Sequence, residues 1–134
     1  MPKRKIIIPA GMENIYETYH YAPGILVGDT LYCSGQVGRD ENLNVVRGAE
    51  AQFTQAFENA GKVLSAAGAT FDDVVELESW FAGSMDELKT FTAVKDRYFT
   101  NNYPTWTGFS VSGFSMPGLL VEIRCRAILG LSNA

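Results

Sequence analysis

Hydrophobic and polar positions alternate most regularly near the end of the chain. Leu119, Val121, Ile123, Cys125, Ala127 and Leu129 fall on one side, and Glu122, Arg124 and Arg126 on the other. That period of two predicts a half-buried strand. The same alternation sets Val75, Leu77, Ser79 and Phe81 against Glu76, Glu78 and Trp80, a strand whose second face is wet or covered by a partner. Over residues 49–67 the period becomes helical. Phe53, Ala56, Phe57, Ala60, Val63, Leu64 and Ala67 share one face, and Gly68 stops the helix. A second helix is predicted to open at Ser84, with Glu87 three residues on as a capping box. It would bury Met85, Leu88, Phe91, Val94 and Tyr98 and end before Pro104. Short apolar runs at 5–8, 24–27 and 30–34 read as strands, the last two joined by a Gly28-Asp29 turn. Residues 105–111 form a further strand, and residues 9–20 read as loop.

The resulting order is three strands, helix, strand, helix, two strands. Its simplest packing is an α+β fold: one mostly antiparallel six-stranded sheet with two helices on one face, in a single domain over residues 1–134. The other face is expected to carry Trp80, Trp106, Tyr32 and Leu120. Groups that large left in water predict a homo-oligomer that covers them.

Composition narrows the function classes. A hydrophobic fraction of 46% supports a packed core rather than disorder. The net charge is −4 with both signs interspersed, which argues against a nucleic-acid surface, since that needs clustered cations to neutralise phosphates. Cys33 and Cys125 lie in apolar, strand-like stretches and read as buried thiols, not as a disulfide framework. No apolar run reaches the length of a membrane span. Ile6-Ile7-Ile8, followed by Pro9 and Gly11, is too short for a signal peptide, so a cytoplasmic protein is expected.

Candidate chemistry is sparse. His20 is the one histidine and has no Cys or carboxylate pattern beside it, so no metal site is predicted. It reads as a loop histidine, with a general base as the alternative. Gly35-Gln36-Val37-Gly38 lacks the lysine and helix start of a phosphate-binding loop, and no serine sits in a nucleophile elbow. Two features carry more. Ser34-Gly35-Gln36 ends a strand, where Gly35 lets a ligand approach the backbone; it is either an anion-holding strand end or a plain terminus with a bulge. Glu122 puts a carboxylate in mid-strand, away from the helices. It is either an acid or base that positions a water, or one half of an ion pair with Arg124, Arg126 or a neighbouring subunit's arginine.

The run from Tyr21-Ala22-Pro23-Gly24 through Cys33-Ser34-Gly35-Gln36-Val37-Gly38 resembles the opening signature of the YjgF/RidA family. The helix from Ala51-Gln52 to Ala66-Ala67-Gly68, followed by Asp72-Asp73-Val74-Val75, is similar to its next block, and Val121-Glu122-Ile123 to its closing strand. The resemblance covers roughly residues 20 to 130 in one order, which makes the set specific. It implies a chorismate-mutase-like fold and a homotrimer with small-molecule ligands in clefts between subunits. It also implies cofactor-free hydrolysis of enamines and imines such as 2-aminoacrylate. Many members carry an older endoribonuclease label, to which the acidic composition here lends little support.

Carried over residue by residue, the resemblance implies Tyr21 at the cleft entrance, Ser34 and Gly35 against the ligand, and Glu122 as the acidic group that places the water. It also exposes a departure. Active deaminases of the family carry an arginine two residues after the proline that follows the second helix, where it clamps the substrate carboxylate. Here Pro104-Thr105-Trp106-Thr107 puts Trp106 in that place. One neutral indole N–H does not replace a guanidinium fork. The family's asparagine on the second helix is Lys95, and its second acidic position on the last strand is Arg124. Lys95, Trp106, Thr107 and Arg124 therefore complete the implied ligand-binding set. Either Arg124, about 7 Å from Glu122 along the strand, or Lys95 substitutes for the lost clamp, or Arg124 pairs with Glu122. The readings that follow are a small-metabolite binding protein without the usual 2-aminoacrylate activity, or a deaminase of altered specificity, for instance for an intermediate of aromatic catabolism.

Overall fold

The computed structural model describes residues 2–131. The elements run β1 (Arg4–Ile7), α1 (Glu13–Glu17), β2 (Gly24–Val27), β3 (Thr30–Cys33), β4 (Gln36–Val37), α2 (Ala49–Ala66), β5 (Val74–Ala82), α3 (Leu88–Tyr98), β6 (Thr105–Val111) and β7 (Val121–Ile128). The sheet order is β1-β2-β3-β7-β5-β6, with β4 also on β7. All pairings are antiparallel except β5 with β6. That pair is parallel because α3 carries the chain from β5 to the start of β6, as a crossover must.

The predicted α+β fold with a mostly antiparallel sheet is present, with two additions. The two-residue β4 is a seventh strand, and α1 is a short helix where a loop was expected. Five residues of α1 bury only Ile15, too little for a helical period to be visible. His20 follows it, exposed and at φ 61°, a left-handed position that histidine tolerates better than most residues.

The core lies between α2, α3 and the sheet. Phe53, Phe57, Phe91 and Phe99 are almost fully enclosed and meet Leu31, Leu77, Val121 and Ile123 from the strands. Phe57 links the two long helices, stacking on Tyr98 at 5.0 Å and lying 5.6 Å from Phe91, both of α3. Both cysteines are buried free thiols. Burial pushes both up in pKa, Cys33 to about 12, which leaves little reactive thiolate.

Three local expectations are corrected. A bulge between Val74 and Glu76 puts Val74, not Val75, on the core face, and the predicted alternation resumes at Leu77. α3 starts at Leu88 rather than Ser84, and Ser84 donates its hydroxyl to Asp86 at 2.8 Å instead of capping a helix. Met85 accordingly stays outside the helix and exposed. Finally, Trp106 lies on the helix side of the sheet. It pairs with core-facing Leu77 and stacks on Phe91 of α3 at 5.9 Å. The open face instead carries Tyr32, Trp80 and Phe109, with Trp80 and Phe109 stacked at 6.2 Å.

Candidate functional site

The site grows out of an interruption in the sheet. β3 leaves β7 after Tyr32 pairs with Arg126, and the chain rejoins β7 only where Gln36 meets Ile123 and Val37 meets Glu122. Ser34 and Gly35 span the gap. The Ser34 N–H donates to the Pro23 carbonyl at 2.9 Å, and its hydroxyl donates to the Ala22 carbonyl at 2.6 Å. Ser34 therefore holds Tyr21-Ala22-Pro23 against the strand end. Its own N–H is not open to an oxyanion, contrary to the sequence expectation for this strand end.

Gly35 is required by close approach. A Cβ there would lie 2.4 Å from Oε2 of Glu122. The carboxylate thus rests on the bare backbone of Gly35. Burial raises the pKa of Glu122, while the charges of Arg124 and Arg39 oppose the rise. Among the described residues the Glu122 carboxylate makes no hydrogen bond or ion pair. Arg124, its expected partner, gives two hydrogen bonds to Glu78 Oε1 at 2.6 and 3.1 Å and lies over the Trp80 ring at 5.4 Å. Arg126 pairs with Glu76 at 3.7 Å and covers Tyr32. Cross-strand pairing explains this: Glu78 sits opposite Arg124 and Glu76 opposite Arg126, whereas Trp80 sits opposite Glu122. In this chain the ion-pair reading of Glu122 gives way to a half-buried carboxylate with no close partner.

Gly35→Ala tests the contact. The clash is with the end of a flexible side chain, so the fold is expected to survive with a stability change within about 1 kcal/mol. The carboxyl should move into water and titrate lower than in the native protein, as followed by carbon NMR. An unchanged titration would show that Gly35 does not govern the Glu122 environment.

The remaining predicted residues lie elsewhere. The Trp106 indole N–H donates to Ser79 Oγ at 2.8 Å, and Lys95 Nζ stands 5.1 Å above its ring and 3.0 Å from Asp96. Ser79 is fully enclosed and was not singled out in the sequence, where it reads as one more core position of β5. Thr107 is exposed on the open face opposite Glu78. One chain therefore gathers Tyr21, Ser34, Gly35 and Glu122, with Arg124 nearby, and holds Lys95 and Trp106 apart on the helix side of edge strand β6.

Two residues at the first cluster were missed. Arg39 reaches Tyr21 Oη at 3.5 Å and Met116 Sδ at 3.4 Å. Asn59 of α2 is buried and donates to the carbonyls of Val37 and Arg39 at 2.9 and 2.8 Å, fixing the backbone that carries Arg39. A buried asparagine within a helix's apolar stripe was the available signal. A pocket lined by Tyr21, Gly35, Gln36, Arg39 and Asn59 opens here, but it encloses only about 40 Å³, room for a few waters. Among the described residues no group of His, Cys, Asp and Glu side chains could hold a metal ion, and no helix is long and apolar enough to cross a membrane.

A sequence model of the family described as Endoribonuclease L-PSP matches residues 12–129. The chain belongs to that family. It is 34% identical over 128 residues to the RutC family protein YjgH of Escherichia coli K12, covering 95% of this chain and 96% of that one. It is 32% identical over 112 residues to the human 2-iminobutanoate/2-iminopropanoate deaminase, covering 82% and 80%. The solved structure of YjgH superposes with a TM-score of 0.86 at 32% identity over 96% of this chain and 98% of that one. The RidA structure from an Antarctic Psychrobacter gives 0.81 at 26% identity over 93% and 99%. Family membership thus agrees with the YjgF/RidA resemblance read from the signature around Ser34-Gly35-Gln36.

Proposed function

We propose that this protein binds a small metabolite in clefts between the subunits of a homotrimer, with Glu122 as the acid–base group of each cleft. The observation that carries the reading is Glu122 itself: a half-buried carboxylate resting on Gly35, raised in pKa by burial and without an ion pair among the described residues of its own chain. Carboxylates in that condition hold a proton more readily than exposed ones, which suits acid–base work. Tyr21, Ser34, Gly35 and Arg124 form one wall with it, and Lys95, Trp106 and Thr107 of a neighbouring subunit form the other. Two features support a second wall. The cluster is only a shallow hollow in one chain, and β6 is an edge strand exposed along six of its seven residues, including Trp106 and Phe109.

The chemistry that fits is cofactor-free hydrolysis of a carbon–nitrogen double bond. Glu122 takes a proton from the attacking water as the new C–O bond forms. It returns that proton to the nitrogen, giving a carbinolamine; the carbinolamine hydroxyl then passes its proton through Glu122 to the amine as the C–N bond breaks, which releases ammonia and a 2-oxo acid. The human relative's name, 2-iminobutanoate/2-iminopropanoate deaminase, supports this class. We place this protein among divergent members, with little or no turnover of 2-aminoacrylate, because Trp106 stands where the family's clamp is implied and its indole N–H is spent on Ser79. Trp106 also favours the second reading, a deaminase for a larger or aromatic imine.

Purified protein incubated with enzymatically generated 2-aminoacrylate should release pyruvate at no more than a few per cent of the rate of an arginine-bearing relative. Robust turnover overturns the divergence. Light scattering should give three chains per particle, and a monomer overturns the composite cleft.

A further inference from the structure

We infer that Arg39 is the anion-binding residue of this cleft and that its ligand is a small carboxylate, such as a 2-oxo or 2-imino acid. This deepens the proposed reading and rests on it.

Arg39 is half-buried at the pocket that Gly35 and Tyr21 border. Among the described residues it has no carboxylate at ion-pair distance. Its two side-chain contacts are a thioether and a phenol oxygen, at 3.4 and 3.5 Å, both weak acceptors for a cation that has five N–H donors. A half-buried guanidinium with its donors so poorly used leaves its fork open for an anion.

The acids nearby are otherwise engaged. Asp40 Oδ1 accepts the backbone N–H groups of Asn42 and Asn44, closing the loop after Arg39, and Glu41 pairs with Lys62 at 3.6 Å. The other cations considered for this role are also occupied: Arg124 by Glu78 and Trp80, Lys95 by Asp96 and Trp106. The Arg39 backbone is held rigidly. Asn59 binds its carbonyl, its N–H donates to Val37, and Arg39 bridges to Val45. The Arg39 charge acts on Glu122, and a guanidinium carried on so fixed a backbone can hold a carboxylate in the same cleft. Because Arg39 shares a wall with Glu122, instead of facing it from β6, carboxylate binding and rapid 2-aminoacrylate turnover are separate properties.

Titration calorimetry on the intact oligomer tests this with 2-oxobutyrate and its neutral amide. Arg39→Gln is expected to weaken 2-oxobutyrate binding about 10- to 100-fold, the range for losing a charge-assisted pair, and to leave the amide unchanged. Arg39→Lys keeps the charge without the fork and should fall between, which separates recognition from a folding defect. Equal 2-oxobutyrate affinity in native protein and Arg39→Gln overturns the assignment of Arg39 and leaves Glu122 and the cleft standing. No 2-oxobutyrate binding by the native protein overturns the small-metabolite cleft, and Arg39 with it.

Discussion

Gln52→Leu is expected to lower stability by about 3 kcal/mol, or roughly 10 °C in Tm, although glutamine is the polar residue and leucine the better core former. Gln52 is 1% exposed and sits inside the apolar face of α2. Its amide donates to the carbonyls of Val46 and Gly118 at 3.1 and 2.9 Å, and its oxygen accepts the Leu120 N–H at 2.6 Å. One side chain thus ties the loop before α2 to the loop before β7. Leucine restores volume but leaves three part-buried backbone groups without their partner, each worth about 1 kcal/mol. Gly38 is fitted to the same side chain, since a Cβ there would lie 2.3 Å from Gln52 Cγ and from its backbone oxygen. Thermal unfolding by circular dichroism reads the effect. A loss under 1 kcal/mol would mean that the loops are held by other contacts.

The second large effect is expected at Glu122. Glu122→Gln should reduce hydrolysis of a larger, aromatic 2-imino acid at least about 100-fold, measured as ammonia release from the imine generated in place by an amino-acid oxidase. Activity that depends on the ionised carboxylate should fall as pH drops through the raised pKa of Glu122, above the ordinary carboxylate range. The same shift affects stability in the opposite sense. Between the unfolded and folded pKa values the folded chain holds the extra proton, so stability declines as pH rises through that window. Gln at 122 removes this slope. A variant with native turnover and native pH profile would exclude Glu122 from the chemistry.

The strands and both long helices were legible because their periods are long and regular. α2 presents six buried apolar positions on one face, and β7 alternates through eight residues. The shorter elements were not, since α1 buries a single residue and β4 has only two. The start of α3 was misplaced because Ser84 and Glu87 satisfy a capping pattern that the turn used for another hydrogen bond. Period alone could not detect the bulge at Val74/Glu76 or the side of β6 that faces the helices, because a one-residue offset inverts every side chain in a strand.

For the site, the linear chain was enough to single out Ser34, Gly35 and Glu122 and to place them in a family, since those residues stand in a distinctive order. Their relationship needed the tertiary structure. Glu122 rests on Gly35 only because β3 leaves β7 and β4 rejoins it around that residue. Arg124 turns to Glu78 because cross-strand register, not closeness in sequence, selects ion-pair partners. Arg39 lies in a polar loop with no periodicity to mark it, 83 positions before Glu122 in the chain. It comes to the site through a buried asparagine on a helix. Local pattern records which side of an element a residue occupies; only the fold brings a cation from one loop beside a carboxylate from the last strand.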